Sequence, residues 1–212
     1  MEFNFGIVGI SGYAGAGKDT AGMALYPLGY DHCSFADPLR ESCSLVTGVP
    51  LEVFNNPETK NVPRDDLYGK TPREVLQLIG TEGWRNLIHP DVWVNAFIRR
   101  TGKKYSADVR FINEAKAIKD AGGILIHIEK PGQDKPEFQH QSEMEIAEVK
   151  KMAHIVIIND GTVEQLQNIV HSLFNSDPLL SNLLKTIEVN GQAIIINDTV
   201  SFSILTPNRK TT

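Results

Sequence analysis

The sequence predicts an α/β fold: a three-layer αβα sandwich around a mainly parallel central sheet, with a short C-terminal β-hairpin extension. Three observations predict it. A short apolar run (Phe5, Ile7, Val8, Ile10) breaks into a glycine-rich turn and continues into a helix-forming segment. Two further apolar stretches, Ile124 to Ile128 and Ile155 to Ile158, read as strands buried on both faces. Segments of helical period lie between these strands, and that alternation implies βαβ units with right-handed crossovers.

The first element carries the strongest chemical signal. Residues 5–20 read FGIVGISGYAGAGKDT, in which Gly12, Tyr13, Ala14, Gly15, Ala16, Gly17 and Lys18 fit the pattern G-x-x-x-x-G-K. Its strand–turn–helix context makes this a phosphate cradle, a P-loop. The glycines let backbone N–H groups curl around an anion, and the helix N-terminus adds about half a positive charge. Lys18 is expected to reach the β/γ-phosphates of a nucleoside triphosphate. Asp19 stands where Ser or Thr usually ligates magnesium, with Thr20 next. Asp19 and Thr20 are therefore the candidate Mg²⁺ contacts, directly or through water.

Composition sets the bounds. The chain has 212 residues, 41% hydrophobic and 22% charged, as in ordinary globular domains. That length suits one domain with small insertions. A net charge of −5 gives no support for broad nucleic-acid or membrane binding. The two cysteines, Cys33 and Cys43, make no disulfide framework and lack metal-ligand spacing. Cys43 reads as a small core residue. No stretch approaches the 18 or so apolar residues of a membrane span, and the first residues show no basic segment followed by a long apolar run, so a soluble, intracellular protein is expected.

In order along the chain, Tyr30 to Phe35 is a weak second strand. Asp37 and Pro38 open a helix, with Leu39, Cys43 and Val46 at helical spacing. Asp37 and Arg40 sit at its mouth, where α/β sheets place ligands, though capping alone would account for Asp37. Gly48 to Lys70 is polar and carries Pro50, Pro57 and Pro63, so it reads as a long excursion rather than core. Thr71 and Glu74 form a capping box, and Arg73 lies unfavourably in that first turn, which calls for an anionic partner, a carboxylate or a phosphate. Gly80 to Arg85 ends the segment. Asp91 starts another helix with Val92, Trp93, Ala96 and Phe97 inward; Trp93 reads as core before it reads as a base-stacking platform. Arg99, Arg100, Lys103 and Lys104 read as a solvated helix end.

Ala107 to Arg110 follows a poor strand signal, and a helix from Phe111 to Ala121 is closed by Gly122 and Gly123. Lys130 to His140 is a second lid-like loop, ended by the capping box Ser142-Glu143-Met144-Glu145. After Asn159, Asp160 and Gly161, Thr162 caps a helix with Leu166, Ile169, Val170, Leu173 and Phe174 on one face. Beyond Asp177, Thr186 to Val189 and Gln192 to Ile196 flank Asn190-Gly191 as a hairpin, with Val200 to Leu205 a further strand. The expected division is a kinase-type domain over 1–176, with excursions near 48–70 and 130–142, and an extension over 177–212. The scattered histidines lack ligand spacing, so no structural zinc is expected.

Several motifs in order narrow the function: Gly17-Lys18-Asp19-Thr20, Ala36-Asp37-Pro38-Leu39-Arg40, Arg73 with Gly80-Thr81, Asp108-Val109-Arg110-Phe111 with Glu114, His140-Gln141-Ser142-Glu143, and Ile158 to Thr162. Together they resemble the bacteriophage deoxynucleoside monophosphate kinases, P-loop phosphotransferases of the nucleoside-monophosphate-kinase type, over residues 5–175. The resemblance implies transfer of the γ-phosphoryl of Mg·ATP to a deoxynucleoside 5′-monophosphate, giving ADP and a deoxynucleoside diphosphate for DNA precursor supply. It implies that Arg73 and Arg85 clamp the acceptor monophosphate, that Arg110 lies nearer the transferring group, and that Asp108 orients Arg110 or water on the metal. Asp37 and Arg40 would face the acceptor, with Trp93, His140 and Glu143 as further acceptor-side candidates. Asn159, Gly161 and Thr162 would lie against the ATP adenine. For Arg85 and Arg110 a structural ion pair is the bland alternative, and for His140 a cap on the next helix.

The resemblance further implies a cytoplasmic enzyme (host cytoplasm, if the chain comes from a phage) whose partners are ATP and a deoxynucleoside monophosphate. The tail hairpin is the one hint of a homodimer. Two rivals stand beside this reading: a different small-molecule P-loop kinase, such as one acting on dephospho-coenzyme A, and a nucleotide-binding switch without useful transfer.

Overall fold

The computed structural model describes residues 6–132, 141–175, 192–196 and 199–203, without the side chains of 141–144 and of the last two segments. The chain divides into two compact units, Met1–His32 with Thr101–Thr212, and Cys33–Arg100.

The first unit is the expected α/β fold. Its strands are β1 (Ile7–Ser11), β2 (Asp31–His32), β3 (Lys104–Val109), β4 (Ile124–Glu129), β5 (Ile155–Ile158), β6 (Gln192–Ile196) and β7 (Thr199–Ser203). They form one sheet in the order β2-β3-β1-β4-β5-β6-β7. Neighbours from β2 to β6 pair in parallel, and β6 with β7 is antiparallel. Each change of neighbour among the first five strands crosses over through a helix or the second unit, as parallel pairing requires.

The alternation of side chains along β1 sets the layers. Val8 and Ile10 join Ile124, Ile126, Ile128, Ile155 and Ile157 in a core with Ala21, Ala24 and Leu25, and with Leu166, Ile169, Val170 and Leu173. The first group of helical residues spans the end of α1 (Lys18–Met23) and the turn after it; the second lies on α8 (Val163–Asn175). On the opposite face lies α6 (Ile112–Asp120), whose Ile118 would stand 2.5 Å from a Cβ placed on Gly9. Only a hydrogen at that position lets the helix sit so close to the sheet. This unit also carries α7 (Gln141–Met152).

Two expectations change here. The second strand shrinks to Asp31–His32. The poor strand signal near Ala107 conceals a six-residue strand that includes Lys104, which is 3% exposed and so no part of a solvated helix end. Lys103 remains at the surface, with its ammonium 5.3 Å from the centre of the Tyr30 ring. The described hairpin joins Gln192–Ile196 to Thr199–Ser203, and β6 continues the sheet from β5; residues 186–191, where the sequence places a turn, lie outside the described residues.

The second unit is helical: α2 (Asp37–Thr47), α3 (Leu51–Asn55), α4 (Pro72–Gln77), a π-helical stretch Leu78–Arg85, and α5 (Val92–Arg99). Its core joins Cys43, Val49, Phe54, Leu67 and Val75, with Leu39, Val53, Leu76 and Ile79 packed on it. Gly48 to Lys70 is therefore not an excursion outside the core. Proline and polar residues dominate its composition, but Val49, Phe54 and Leu67 turn inward. Burial pushes the Cys43 thiol up to about 11, which makes it the inert core residue expected. The Gly80–Arg85 stretch that ends the segment is itself helical, part of the π-helical run from Leu78 to Arg85. Among the described residues no helix is long and apolar enough to cross a membrane.

Candidate active site

The glycine-rich loop leaves the sheet where β1 ends at Ser11. Gly12, Gly15 and Gly17 take φ values of 147°, 80° and 103°, in the left-handed region that glycine tolerates. A Cβ on Gly12 would stand 2.4 Å from the Ile128 carbonyl oxygen. The Ala16 N–H donates to the Tyr13 carbonyl at 3.1 Å, closing the turn, and α1 starts at Lys18. Lys18 Nζ arches back and donates to the same Tyr13 carbonyl at 3.0 Å. Burial pulls the Lys18 ammonium below its ordinary pKa, and Arg110 adds to that; Asp108 and Asp19 oppose it. Those four charges belong to one local field.

Asp108 and Arg110 come from the end of β3, the strand beside β1. Arg110 Nε donates to Asp108 Oδ1 at 2.5 Å, with both side chains about half exposed. Glu114, 5% exposed, holds the turn that carries them: its carboxylate accepts from the Arg110 and Phe111 N–H groups at 3.0 and 3.2 Å. This is the N-terminal device of α6, a carboxylate reaching back to orphan backbone donors. The parallel sheet thus brings Lys18, Asp19, Asp108 and Arg110 together, although some 90 residues of sequence separate the pairs.

Asn159 follows β5. Its side-chain Nδ2 donates to the Ala16 carbonyl at 2.8 Å, and its backbone N–H to the Glu129 carbonyl at 2.7 Å. Thr162 and Gln165 cap α8 reciprocally, Gln165 Oε1 accepting from Thr162 N–H and Thr162 Oγ1 from Gln165 N–H. A Cβ on Gly161 would meet Gln165 Oε1 at 2.4 Å, so Gly161 belongs to the same cap.

Beneath the loop, Ser11 Oγ and His127 Nδ1 lie 2.9 Å apart, and the imidazole is 1% exposed. In the sequence His127 reads as one of five scattered histidines, beside His140 with its own acceptor-side reading. Its signal was a lone titratable residue inside an apolar strand, but its partner lies 116 positions away.

In the second unit, Asp37 occupies the first turn of α2, one residue inside the cap position. It accepts from the Ser34 N–H at 2.6 Å and pairs with Arg40 at 2.7 Å. The Thr71–Glu74 capping box is present in full. Arg73 is exposed; its guanidinium reaches Asn61 Oδ1 at 3.3 Å and has no carboxylate partner among the described residues. Arg85, half-buried at the end of the π-helical stretch, makes no ion pair among the described residues either. Trp93 is 4% exposed, and its indole N–H donates to the Gly80 carbonyl at 3.1 Å. Its place is in the core, which corrects the stacking role: a buried ring offers no face to a base. Trp84, tilted against it with centroids 5.3 Å apart, is 41% exposed. His140 and the Glu143 side chain lie outside what the structure describes.

A family model for deoxynucleotide monophosphate kinase matches residues 64–170, half of the chain. The chain belongs to the deoxynucleotide monophosphate kinase family. A protein of Acanthamoeba polyphaga mimivirus, provisionally named a deoxynucleotide monophosphate kinase, is 35% identical over 177 residues, covering 75% of this chain and 91% of that protein. As a deoxynucleotide monophosphate kinase the chain is a phosphotransferase with nucleotide substrates. The family match begins at residue 64, so the glycine-rich loop stands on its own geometry, while Asp108, Arg110 and Asn159 fall within the matched segment.

Proposed function

We propose that the protein transfers the γ-phosphoryl group of Mg·ATP to a deoxynucleoside 5′-monophosphate, releasing ADP and a deoxynucleoside diphosphate. The observation that carries this reading is the register of β1 with β3, which sets the glycine-rich loop and Lys18 beside the end of β3, where Asp108 and Arg110 are paired. Phosphoryl transfer needs positioning and spread positive charge more than covalent chemistry from the protein. The backbone N–H groups of Gly12 to Lys18 would cradle the β- and γ-phosphates, with Lys18 exchanging its Tyr13 carbonyl for phosphate oxygen. An oxygen of the acceptor phosphate attacks the γ-phosphorus as the bond to the β,γ-bridging oxygen breaks, and the electron pair leaves with ADP. Arg110 would meet the charge that grows on the equatorial oxygens. Its planar fork suits phosphate, and Asp108 holds one edge of that fork in place.

Asp19 and Thr20 would hold magnesium, directly or through water. A carboxylate and a hydroxyl suit a hard cation that keeps several waters and takes its other ligands from phosphates.

On the acceptor side the reading assigns the monophosphate to Arg73 and Arg85, cations without carboxylate partners among the described residues, with Asp37 and Arg40 toward the sugar or base. A homodimer through the C-terminal hairpin belongs to the same reading, and sedimentation of the full chain tests it.

The deciding experiment is an ADP-release assay with Mg·ATP against the four common deoxynucleoside monophosphates, the matching ribonucleotides and dephospho-coenzyme A. Turnover with deoxynucleotides above ribonucleotides is expected. Activity with dephospho-coenzyme A alone would replace the acceptor, and silence with all of them despite ATP binding would favour a switch.

A further inference from the structure

We infer that Asn159 is a positioning residue of the phosphate loop: it holds the Ala16–Gly17 peptide in the orientation that binds triphosphate, and does not serve as a contact of the adenine ring. The inference rests on the triphosphate reading of Gly12 to Lys18.

The geometry is specific. Asn159 Nδ2 donates to the Ala16 carbonyl oxygen at 2.8 Å, a bond between residues 143 positions apart. A Cβ placed on Gly17 would stand 2.7 Å from that same Nδ2 and 3.0 Å from Leu166 Cδ2. The amide is therefore packed directly against the loop, and Gly17, at φ 103°, leaves it the room. Asn159 is fixed from behind, because its own N–H is bound to the Glu129 carbonyl at 2.7 Å. Glu129 and Ile158 are register partners at the ends of β4 and β5, and the Glu129 carboxylate is tied to Lys150 at 2.6 Å. The loop is thus braced at both ends. Gly12 lies against the Ile128 carbonyl of β4, and the Ala16–Gly17 peptide hangs from the residue that follows β5.

A trans peptide points its C=O and its N–H in opposite directions, and the described chain has no cis bonds. Tying the Ala16 carbonyl toward β5 therefore turns the Gly17 N–H away from Asn159, on the side opposite that strand. Such N–H groups bind phosphate only while the loop holds them in a fixed array. An amide suits the task because Asn supplies a neutral donor at this reach. An ionised Asp has the same shape but only acceptors, and it would repel the carbonyl it replaced a bond to. One of the two Nδ2 hydrogens is committed to the Ala16 carbonyl, which fixes the plane of the amide against the loop.

The test is calorimetric binding of ATP and of inorganic tripolyphosphate to the full-length protein, in its natural form and as Asn159→Ala and Asn159→Asp, with melting temperatures recorded. Tripolyphosphate probes the cradle without any base. Affinity for ATP and for tripolyphosphate is expected to fall by the same factor, about tenfold in Asn159→Ala. A larger loss in Asn159→Asp, with melting temperatures within a few degrees of the natural protein, is expected too. Weaker ATP binding with unchanged tripolyphosphate binding would overturn the inference in favour of an adenine contact. Unchanged binding of both, or loss only in step with a collapsed melting temperature, would overturn it as well. A natural protein that ignores tripolyphosphate would instead remove the phosphate-loop reading itself.

Discussion

His127 Nδ1 stands 2.9 Å from Ser11 Oγ, across the register pair that joins β4 to β1 where the glycine-rich loop begins. Burial, with Lys150 next in effect, lowers the imidazole pKa to about 4, against a weaker pull from Glu129. Burial likewise lowers His154 to about 4, and its Nδ1 accepts from the Leu125 N–H at 3.0 Å. Both rings are neutral in the folded protein at pH 7. Their folded pKa lies below the unfolded value of 6.5, so the stability they contribute is present above pH 6.5 and is lost as pH falls toward 4. Each accounts for at most about 3 kcal/mol. Urea denaturation at pH 7.5 and 5 should show a clear loss, and a flat profile would contradict the burial of these rings.

Lys18→Ala should reduce kcat/KM at least about 100-fold, the scale of losing one well-placed donor to developing charge. Its bond to Tyr13 is local and partly exposed, so the melting temperature should move by only a few degrees. Retained turnover would refute the phosphate-loop assignment.

Arg110→Ala should lower kcat about 1,000-fold, the lower range for an arginine at a phosphoryl transition state. Asp108→Asn should cost less. Because the two side chains are bonded at 2.5 Å, the double variant should fall short of the sum of the single effects. Strict additivity would show that Asp108 acts independently of Arg110.

Arg73 is exposed, and among the described residues its side chain bonds the neutral Asn61. Arg73→Ala should raise KM for the monophosphate about tenfold or more while leaving KM for ATP and the melting temperature nearly unchanged. Equal effects on both substrates would take Arg73 out of the acceptor clamp.

Trp93→Phe removes the donor to the buried Gly80 carbonyl and should cost about 1–3 kcal/mol of stability. Monophosphate KM should stay the same, since the ring lies in the core. A selective rise in KM without destabilisation would restore a substrate role to Trp93.

Several features of this protein are written locally. The glycine-rich loop is contiguous, so its φ-demanding positions and Lys18 can be read directly. The Thr71–Glu74 box spans four residues, and β4 and β5 announce themselves as apolar runs. In each case the partners that make the signal are sequence neighbours, and elementary backbone chemistry suffices. The same holds for α8, whose buried stripe follows the helical period.

What the sequence leaves open are matters of register and long-range pairing. Lys104 follows Lys103 in what reads as a basic surface run, yet β3 lies between β2 and β1, and that position buries it. Val49, Phe54 and Leu67 are isolated apolar residues in a polar segment, and only the packing of α2, α3 and α4 gives them a core. Ser11 meets His127, and Ala16 meets Asn159, because parallel strands bring distant ends to one edge of the sheet. The conformation of the glycine-rich loop was therefore determined by sequence alone, as a short stretch whose backbone needs are local. Its bracing, and the company of Asp108 and Arg110, were decided by tertiary structure, because strand order depends on the combined burial of many side chains and not on any one stretch.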